Sequence, residues 1–298
     1  MPFIYDTFYQ KEPKLAFSLL MQRYNISMKE AQRLIDIKRL YCDNKVVELK
    51  NQPIAGEIKL LLFKPLSKGL KPLFKTKDFL LFDKPSGLII HPKKIQTPYS
   101  LLDEIRIYGT KDSNAAHRID KETSGLVIAS MNKQSEIELK KMFEAKQIQK
   151  SYLAWVRGNT KDYFEVEEPI KIRKDYSTSK HKVKICKSGK YAKTIFKKLS
   201  YNKALDASLV KAIPITGRTH QIRIHLYSIS HPILGDPLYG TTFEFATKYL
   251  DNNLSLEDRI KYSGAKRLML HALSLEFRLN GIRYILKSKM DFNLEAEV

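Results

Sequence analysis

Residues 117–129 read HRIDKETSGLVIA, and this stretch decides how the rest of the chain is interpreted. Its first six residues include five ionisable side chains, which are followed by a Thr-Ser-Gly turn. The apolar run at 126–129 predicts a buried strand. A loop that a buried strand holds in place is a frequent location for catalytic side chains. Asp120, at the centre of the ionisable cluster, is therefore a candidate catalytic residue.

Protein kinases also carry a His-Arg-Asp run, so that class has to be considered. Here Ile119 separates Arg118 from Asp120, and no Gly-rich nucleotide loop precedes the run. The kinase interpretation is therefore excluded.

The run HRIDKETSGLVIAS resembles the catalytic signature of the RluA-type pseudouridine synthase family, usually written His-Arg-Leu-Asp followed two residues later by Thr-Ser-Gly. Ile119 stands where the family usually has Leu. Further segments resemble other motifs of that family in order and spacing: DKPSGL at 83–88 with HP at 91–92, KSYLA at 150–154, GRTHQIRIH at 217–225, HPILGD at 231–236 and LMLHA at 268–272. Together they extend over roughly residues 74–277.

This resemblance implies a reaction and three catalytic residues. Enzymes of the family break the C1′–N1 bond of a uridine, turn the base and rejoin it through C5, without a cofactor or a metal. Asp120 would be the nucleophile, and Arg223 would keep it ionised and oriented. Tyr152 would stack on the uracil and relay the C5 proton. Attack at C1′, attack on the base and a route through a glycal all remain open.

The same segments suggest residues that contact the RNA. Arg118 is expected to fill the gap or grip a phosphate when the target base leaves the stack; a structural salt bridge is the alternative. Lys84 is expected to line or support the site. Thr123, Arg218, His220 and Gln221 are expected to contact substrate or RNA. His220 and His225 are five residues apart with no carboxylate between them, so no zinc site is predicted.

The charge of the chain favours a nucleic-acid partner. Fifty-three Lys and Arg residues against 32 Asp and Glu residues give a net charge of +21. Residues 171–203 hold twelve Lys or Arg and one acidic residue, Asp175. Such a field attracts phosphate backbones. This basic segment is interpreted as an RNA-facing clamp, with a solvated hairpin as the alternative.

The pattern of elements predicts an α+β pseudouridine synthase fold with a mixed, largely antiparallel central sheet. Strand-like runs occur at 79–82, 88–90, 126–129, 152–156, 194–200 and 207–213. One clear helix is predicted from Asn132 to Lys146, with Ile137, Met142 and Phe143 on its apolar side. Because strands and helices do not alternate regularly, a doubly wound parallel sheet is disfavoured.

Residues 1–65 are interpreted as a separate small α+β module that resembles an S4-type RNA-binding module. Leu15, Phe17, Leu19 and Leu20 suggest one helical face, and Ser27 with Glu30 resembles a capping box opening a second helix. The expected RNA-binding residues along that second helix are Lys29, Arg33, Lys38 and Arg39. A plain α+β cap with a solvated helix is the alternative. Residues 66–75 are expected to be a linker, and 76–298 the catalytic domain.

The cysteine count and the lack of long apolar stretches bear on the cellular compartment and the binding partner of the protein. Two distant cysteines predict no disulfide or zinc framework, and no apolar stretch predicts a membrane span. A cytoplasmic monomer acting on RNA is expected. The expected substrate is large-subunit (23S) ribosomal RNA, with transfer RNA as the nearest rival. A non-catalytic RNA-binding or ribosome-assembly factor on the same fold is the alternative from another class.

Overall fold

The computed structural model of the chain describes residues 2–295 and 297–298. Two compact units are present: one comprises Met1–Lys68 with Pro92–Ile107, the other Gly69–His91 with Tyr108–Val298. The segment 92–107, which the sequence interpretation assigned to the catalytic domain, thus belongs to the first unit.

The first unit is a small antiparallel sheet with helices on one face. Its elements are β1 (Phe3–Leu15), α1 (Ala16–Tyr24), α2 (Met28–Asp36), β2 (Leu40–Cys42), β3 (Lys45–Val46), β4 (Pro53–Phe63) and, from the inserted segment, α3 (Leu101–Tyr108). The strand order is β1-β4-β2-β3. Apolar side chains of α1 and α2, among them Leu20 and Ile35, form one core with Ile58 and Leu60 of β4.

Local signals explain where these helices begin and end. Ser27 caps α2, because its hydroxyl accepts the backbone N–H of Glu30 at 3.2 Å. Leu15 was predicted in a helix but ends β1 instead. The second helix stops at Asp36, so Lys38 and Arg39 lie beyond it, and Lys38 adopts a positive φ of 56°.

The second unit is built on one large sheet. Its elements are β5 (Phe74–Lys75), β6 (Phe79–Lys84), β7 (Asn114–Ala115), β8 (Ser124–Ser130), α4 (Lys133–Glu144), β9 (Gln149–Arg157), β10 (Tyr163–Glu167), β11 (Ile170–Ile172), β12 (Val183–Ile185), β13 (Lys193–Asn202), β14 (Ala207–Pro214), α5 (Gln221–Ser228), α6 (Phe243–Leu250), α7 (Leu256–Ser263), β15 (Leu270–Leu279) and β16 (Ile282–Lys287). The main strand order is β10-β13-β14-β9-β15-β8-β6-β5, and β11 pairs with β12 as a separate hairpin.

This sheet confirms the predicted fold class. Every strand pairing in it is antiparallel except the short parallel contact between β15 and β8. Five of the six predicted strand runs lie in strands, but 88–90 is irregular, because it follows the turn after Pro85. The predicted helix is α4 with Asn132 as its cap. Ile137 is 42% exposed and does not belong to its buried side.

Strand β15 lies between the two halves of the large sheet. It pairs with β9 on one side and with β8 on the other. At the contact with β8, Gly125 has a φ of 106°, and a Cβ there would overlap the backbone of Ala272. Only glycine therefore allows β8 to approach β15 this closely. The loop that carries Asp120 ends directly at β8.

In residues 2–295 and 297–298, none of the helices has both the length and the hydropathy needed to traverse a bilayer.

Candidate active site

A cavity of about 1000 Å³ in the second unit collects most of the predicted site residues. Of the nine residues that the sequence proposed as catalytic or substrate-binding in this unit, eight line it: Arg118, Asp120, Thr123, Tyr152, Arg218, His220, Gln221 and Arg223. They come from the loop before β8, from β9 and from the turn that opens α5. Segments far apart in sequence thus form one concave site.

Arg223 holds the carboxylate of Asp120 in this cavity. Its Nη1 donates to Oδ2 of Asp120 at 3.1 Å. Its other two nitrogens, Nε and Nη2, donate to the two carboxylate oxygens of Asp236 at 2.7 and 2.8 Å. Asp236 in turn accepts the backbone N–H groups of Leu238 and Tyr239. Asp236 therefore fixes the orientation of the guanidinium, and Nη1 is directed at the nucleophile candidate.

These charges set the protonation state of the pair. Burial by itself would raise the pKa of Asp120, but His220 and Arg223 lower it below its ordinary value. Burial would lower the pKa of Arg223, whereas the carboxylates of Asp236 and Asp120 raise it above its ordinary value. Asp120 is therefore an ionised carboxylate at neutral pH, as a nucleophile requires.

His220 is a neutral neighbour of that carboxylate. Burial, followed by the charge of Arg223, lowers its pKa to about 4, so the imidazole is uncharged at pH 7. Its Nε2 lies 3.6 Å from Oδ2 of Asp120, and its Nδ1 lies 3.0 Å from the Tyr239 hydroxyl. At neutral pH the lowered pKa of Asp120 therefore rests on Arg223.

Tyr152 faces the same cavity from β9. The residue lies where β9 is paired on both sides, opposite Ala212 of β14 and Ala272 of β15. Burial, together with the charge of Asp120, raises the pKa of the Tyr152 phenol above its ordinary value. The hydroxyl keeps its proton at neutral pH, and the ring is held by two neighbouring strands.

Of the two positions expected for Lys84, the structure shows the supporting one. Its side chain is fully buried, it does not line the cavity, and Nζ donates to the carbonyls of Pro85, Leu88 and Lys121. All three ammonium hydrogens are thereby used, and burial lowers its pKa to about 7. Lys84 thus ties the loop after β6 to the residue that follows Asp120 and has no donor left for RNA.

Of the other residues predicted to contact RNA, the two arginines are exposed, whereas Gln221 and Thr123 are buried. Arg118 and Arg218 are both exposed at the cavity, and Nε of Arg218 donates to the Tyr191 carbonyl at 2.9 Å. Gln221 is buried, and its amide makes four hydrogen bonds within the protein, to Thr216, Arg218, Lys193 and Thr194. Thr123 is buried as well. Gln221 therefore organises the turn before α5, contrary to the expected RNA contact.

The sequence interpretation missed a second anchor of the catalytic loop. Glu122, two residues after Asp120, is buried, and its two carboxylate oxygens accept from the Tyr249 hydroxyl at 2.9 Å and Arg259 Nη2 at 2.7 Å. Arg259 also donates to the carbonyl of Gly235, beside Asp236. Helices α6 and α7 are thereby connected to both partners of Arg223. The partners of Glu122 lie 127 and 137 residues further along the chain, a separation at which no local pattern signals a contact.

The basic segment 171–203 contains nearly all of the β11–β12 hairpin and the whole of β13. Lys193 and Lys198 pair with acidic residues, Lys193 with Glu165 and Glu167 and Lys198 with Asp162. Other lysines of the hairpin are exposed, among them Lys171, Lys174, Lys182, Lys184, Lys187 and Lys190. The segment therefore presents much of its charge to solvent.

The predicted RNA-binding residues of the first unit are partly accessible. Lys29, Arg33 and Lys38 are exposed, whereas Arg39 is half-buried. Lys38 also forms an ion pair with Glu48 at 3.4 Å. Within the described residues, no group of three or more His, Cys, Asp or Glu side chains is arranged to hold a metal ion.

Comparison with known proteins agrees with this geometry. Residues 78–228 match the family model described as RNA pseudouridylate synthase. An uncharacterised RNA pseudouridine synthase of Helicobacter pylori is 40% identical over 291 residues, covering 97% of this chain and 95% of the relative. The ribosomal large subunit pseudouridine synthase C of Haemophilus influenzae is 29% identical over 248 residues, covering 78% of this chain and 71% of the relative.

Solved structures share the fold. The structure titled human RNA pseudouridylate synthase domain containing 1 has a TM-score of 0.59 at 23% identity, covering 76% of this chain and 86% of that one. Human RNA pseudouridylate synthase domain containing 4 has a TM-score of 0.57, also at 23% identity, covering 74% of this chain and 88% of that one. Taken with the family match and the identity to the Helicobacter protein, the chain belongs to the RluA-type RNA pseudouridylate synthase family and is an isomerase that acts on RNA.

Proposed function

We propose that this enzyme isomerises specific uridines of large-subunit ribosomal RNA to pseudouridine, with Asp120 as its nucleophile. The observation that carries the proposal is the hydrogen bond from Arg223 to the Asp120 carboxylate inside the cavity. The choice of RNA is supported by relatives named for the large ribosomal subunit, including a synthase D of Nitrosomonas europaea that is 33% identical over 178 residues, covering 58% of this chain and 50% of the relative.

The proposed roles follow from charge and exposure. Asp120 is ionised and held by Arg223, so its free oxygen can attack the target nucleotide. Attack at C1′ displaces the uracil and breaks the C1′–N1 bond in that step, whereas attack on the base adds the carboxylate to the ring before that bond breaks. In the glycal route the same carboxylate acts as a base and removes the C2′ proton as the uracil leaves C1′. Tyr152 stacks on the detached uracil and, because it keeps its proton, can take part in proton relay at C5.

Access to the site requires the target base to leave its helix. Unstacking a nucleotide costs a few kcal/mol. The exposed Arg118 lies at the cavity, and its guanidinium has no hydrogen bond or ion pair to the part of the chain that the structure describes. We assign it to the gap that the extruded base leaves. The exposed lysines of the basic segment then grip the phosphate backbone, and the S4-like first unit adds further contacts through Lys29, Arg33, Lys38 and Arg39.

Tritium release tests the catalytic assignment. RNA carrying tritium at C5 of uridine loses it to water when the base is rejoined through C5. The purified chain should release tritium from large-subunit ribosomal RNA, and Asp120→Asn should bind that RNA equally well but release none. Asp112→Asn, the same change at an exposed turn outside the cavity, serves as the control and should remain active.

The same assay decides between the candidates. Residual release by Asp120→Asn would point to another nucleophile. A wild-type chain that binds RNA tightly and releases no tritium from any cellular RNA would be a binding factor. Mapping pseudouridine in ribosomal and transfer RNA of cells with and without this protein identifies the substrate; loss confined to transfer RNA would overturn the ribosomal assignment.

A further inference from the structure

The sheet of the first unit has two faces of different character. Side chains alternate along β1, so Phe8 points to the helix-covered core, whereas Phe3, Tyr5 and Tyr9 point away from it. Tyr41 of β2 and Phe63 of β4 share that second face by register, because Tyr41 lies opposite Lys59 and Phe63 lies opposite Phe3. We call these five residues, Phe3, Tyr5, Tyr9, Tyr41 and Phe63, the aromatic face.

Within the aromatic face, Tyr5 and Tyr9 are exposed, whereas Phe3, Tyr41 and Phe63 are half-buried. Phe3 and Phe63 meet edge to face with centroids 5.2 Å apart, and Tyr5 meets Tyr41 in the same way at 5.8 Å. Tyr5 is 52% and Tyr9 72% exposed. Rings with this exposure contribute little to a hydrophobic core, so the stability of the unit does not account for their presence.

Cations flank the aromatic face at one end. The guanidinium of Arg39 lies 5.1 Å from the ring centroid of Phe3, and that of Arg106 lies 4.9 Å from the ring centroid of Phe63. The aromatic face therefore has positive charge beside Phe3 and Phe63. At the other end, Lys59 is paired with Glu57 at 2.7 Å.

We propose that the aromatic face binds unpaired nucleotides of the RNA substrate, with bases stacking on Tyr5 and Tyr9 and the adjoining phosphate meeting Arg39. Exposed aromatic rings on a sheet, with cations beside them, are the arrangement by which proteins hold single-stranded RNA. Tyr5 and Tyr9 are four residues apart on one strand, about 13 Å, so they receive separate bases.

This inference rests on RNA being the substrate, and it adds a contact that is independent of the catalytic cavity. Binding by the aromatic face differs from binding by Lys29, Arg33 and Lys38 alone. Lysine and arginine side chains contact phosphates, whereas aromatic rings distinguish unpaired bases from a duplex. The face therefore predicts a preference for substrates with a single-stranded segment.

Binding of a fluorescent, unstructured RNA oligonucleotide to the full-length chain tests the inference. The double variant Tyr5→Ala/Tyr9→Ala should lose affinity by roughly 10-fold or more, while its affinity for a blunt RNA duplex changes by less than about twofold. Tyr5→Phe/Tyr9→Phe retains the rings and should bind as the wild type does. Tyr163→Ala, which removes an exposed strand tyrosine of the other unit, is the matched control.

The outcomes separate this inference from the proposed function. Binding is measured without turnover, so its result stands whether or not Asp120 is the nucleophile. In tritium release, loss of the two rings should raise KM and leave kcat within about twofold. Equal affinity of wild type and double variant for the unstructured RNA, with unchanged thermal unfolding, would overturn the inference. It would also be overturned if the double variant lost binding to purified ribosomal proteins but not to RNA.

Discussion

The catalytic cavity and the aromatic face differ in the side chains that form them and in how far those side chains are buried. In the cavity, Asp120, Arg223 and Asp236 form a chain of opposite charges, and Arg223 and Asp236 are almost completely buried. On the aromatic face, Tyr5 and Tyr9 are largely exposed, and the charges sit at the margin. One site fixes a few atoms in place, whereas the other offers a surface that tolerates variation in its ligand.

This difference teaches where substitutions should show their effects. Buried charges that have only one good arrangement act on the chemical step, because a small displacement removes stabilisation at the reacting atoms. Exposed rings act on affinity, since they contribute the same contact before and during the reaction. We therefore expect variants of the cavity to lower kcat and variants of exposed residues to raise KM.

The largest effect is expected for Arg223→Lys. Lysine keeps the charge but cannot donate to Asp120 and to both oxygens of Asp236 at once. We expect kcat to fall on the order of 100-fold, measured by single-turnover tritium release. Arg278→Lys, at an exposed position of β15, is the control. Full turnover by Arg223→Lys would contradict the comparison between cavity and aromatic face, because the buried guanidinium that joins Asp120 to Asp236 would then be unnecessary.

A smaller loss of turnover is expected for Glu122→Gln. The glutamine keeps the shape but leaves Arg259 without its counter-charge, so the loop next to Asp120 loses one of its anchors. We expect kcat to fall roughly tenfold, about 1.4 kcal/mol, with little change in KM. Tyr249→Phe, which removes one hydrogen bond and keeps the ion pair, should cost less. A change in KM alone would show that Glu122 does not position the loop.

Arg118→Ala sharpens the comparison, because Arg118 lines the cavity but is exposed. We expect a loss of roughly fivefold in kcat/KM on structured RNA, where a base must be extruded, and almost none on an unstructured oligonucleotide. Steady-state kinetics on the two substrates measures this. An equal loss on both would assign Arg118 to phosphate binding and not to the gap left by the base.

The smallest effect is expected from pH. The pKa of Asp120 in the folded protein lies below its ordinary value of 3.8. Its carboxylate is therefore ionised at any pH above 3.8 and becomes protonated only as the pH falls through the lower, folded-state pKa. His220, with a pKa lowered to about 4, is already neutral. A pH profile of kcat should therefore be flat from about pH 5 to pH 8 apart from the titration of Lys84, whose pKa is lowered to about 7. An inflection near the ordinary histidine value of 6.5 that disappears in His220→Gln would show that His220 carries charge.

The sequence predicted the parts of the site better than their connections. The run around Asp120 and the segments holding Tyr152 and Arg223 could be recognised because each is contiguous. Asp236 lay in a recognised segment, yet its role depends on a fold that brings it back to Arg223. Lys84 was expected to line or to support the site, and its burial among three carbonyls, which decides between the two, appears only in three dimensions.

Strands were predicted where a continuous apolar run marks them and missed where apolar and polar residues are mixed. The apolar runs of β6, β8 and β9 are easy to recognise. Strand β1 was missed, because its outward positions Phe3, Tyr5 and Tyr9 are as apolar as its inward ones and hide the alternation. The missed strand carries three residues of the aromatic face.

The position of β15 has a consequence for the synthesis of the protein. Asp120 precedes β8, Tyr152 lies in β9, and the strand between those two is β15, which begins at Leu270. A ribosome therefore produces both residues long before the strand that joins their half-sheets, and long-range pairing of this kind forms late. The enzyme gains its active site only in the last stage of folding, when its final long strand enters the middle of the sheet.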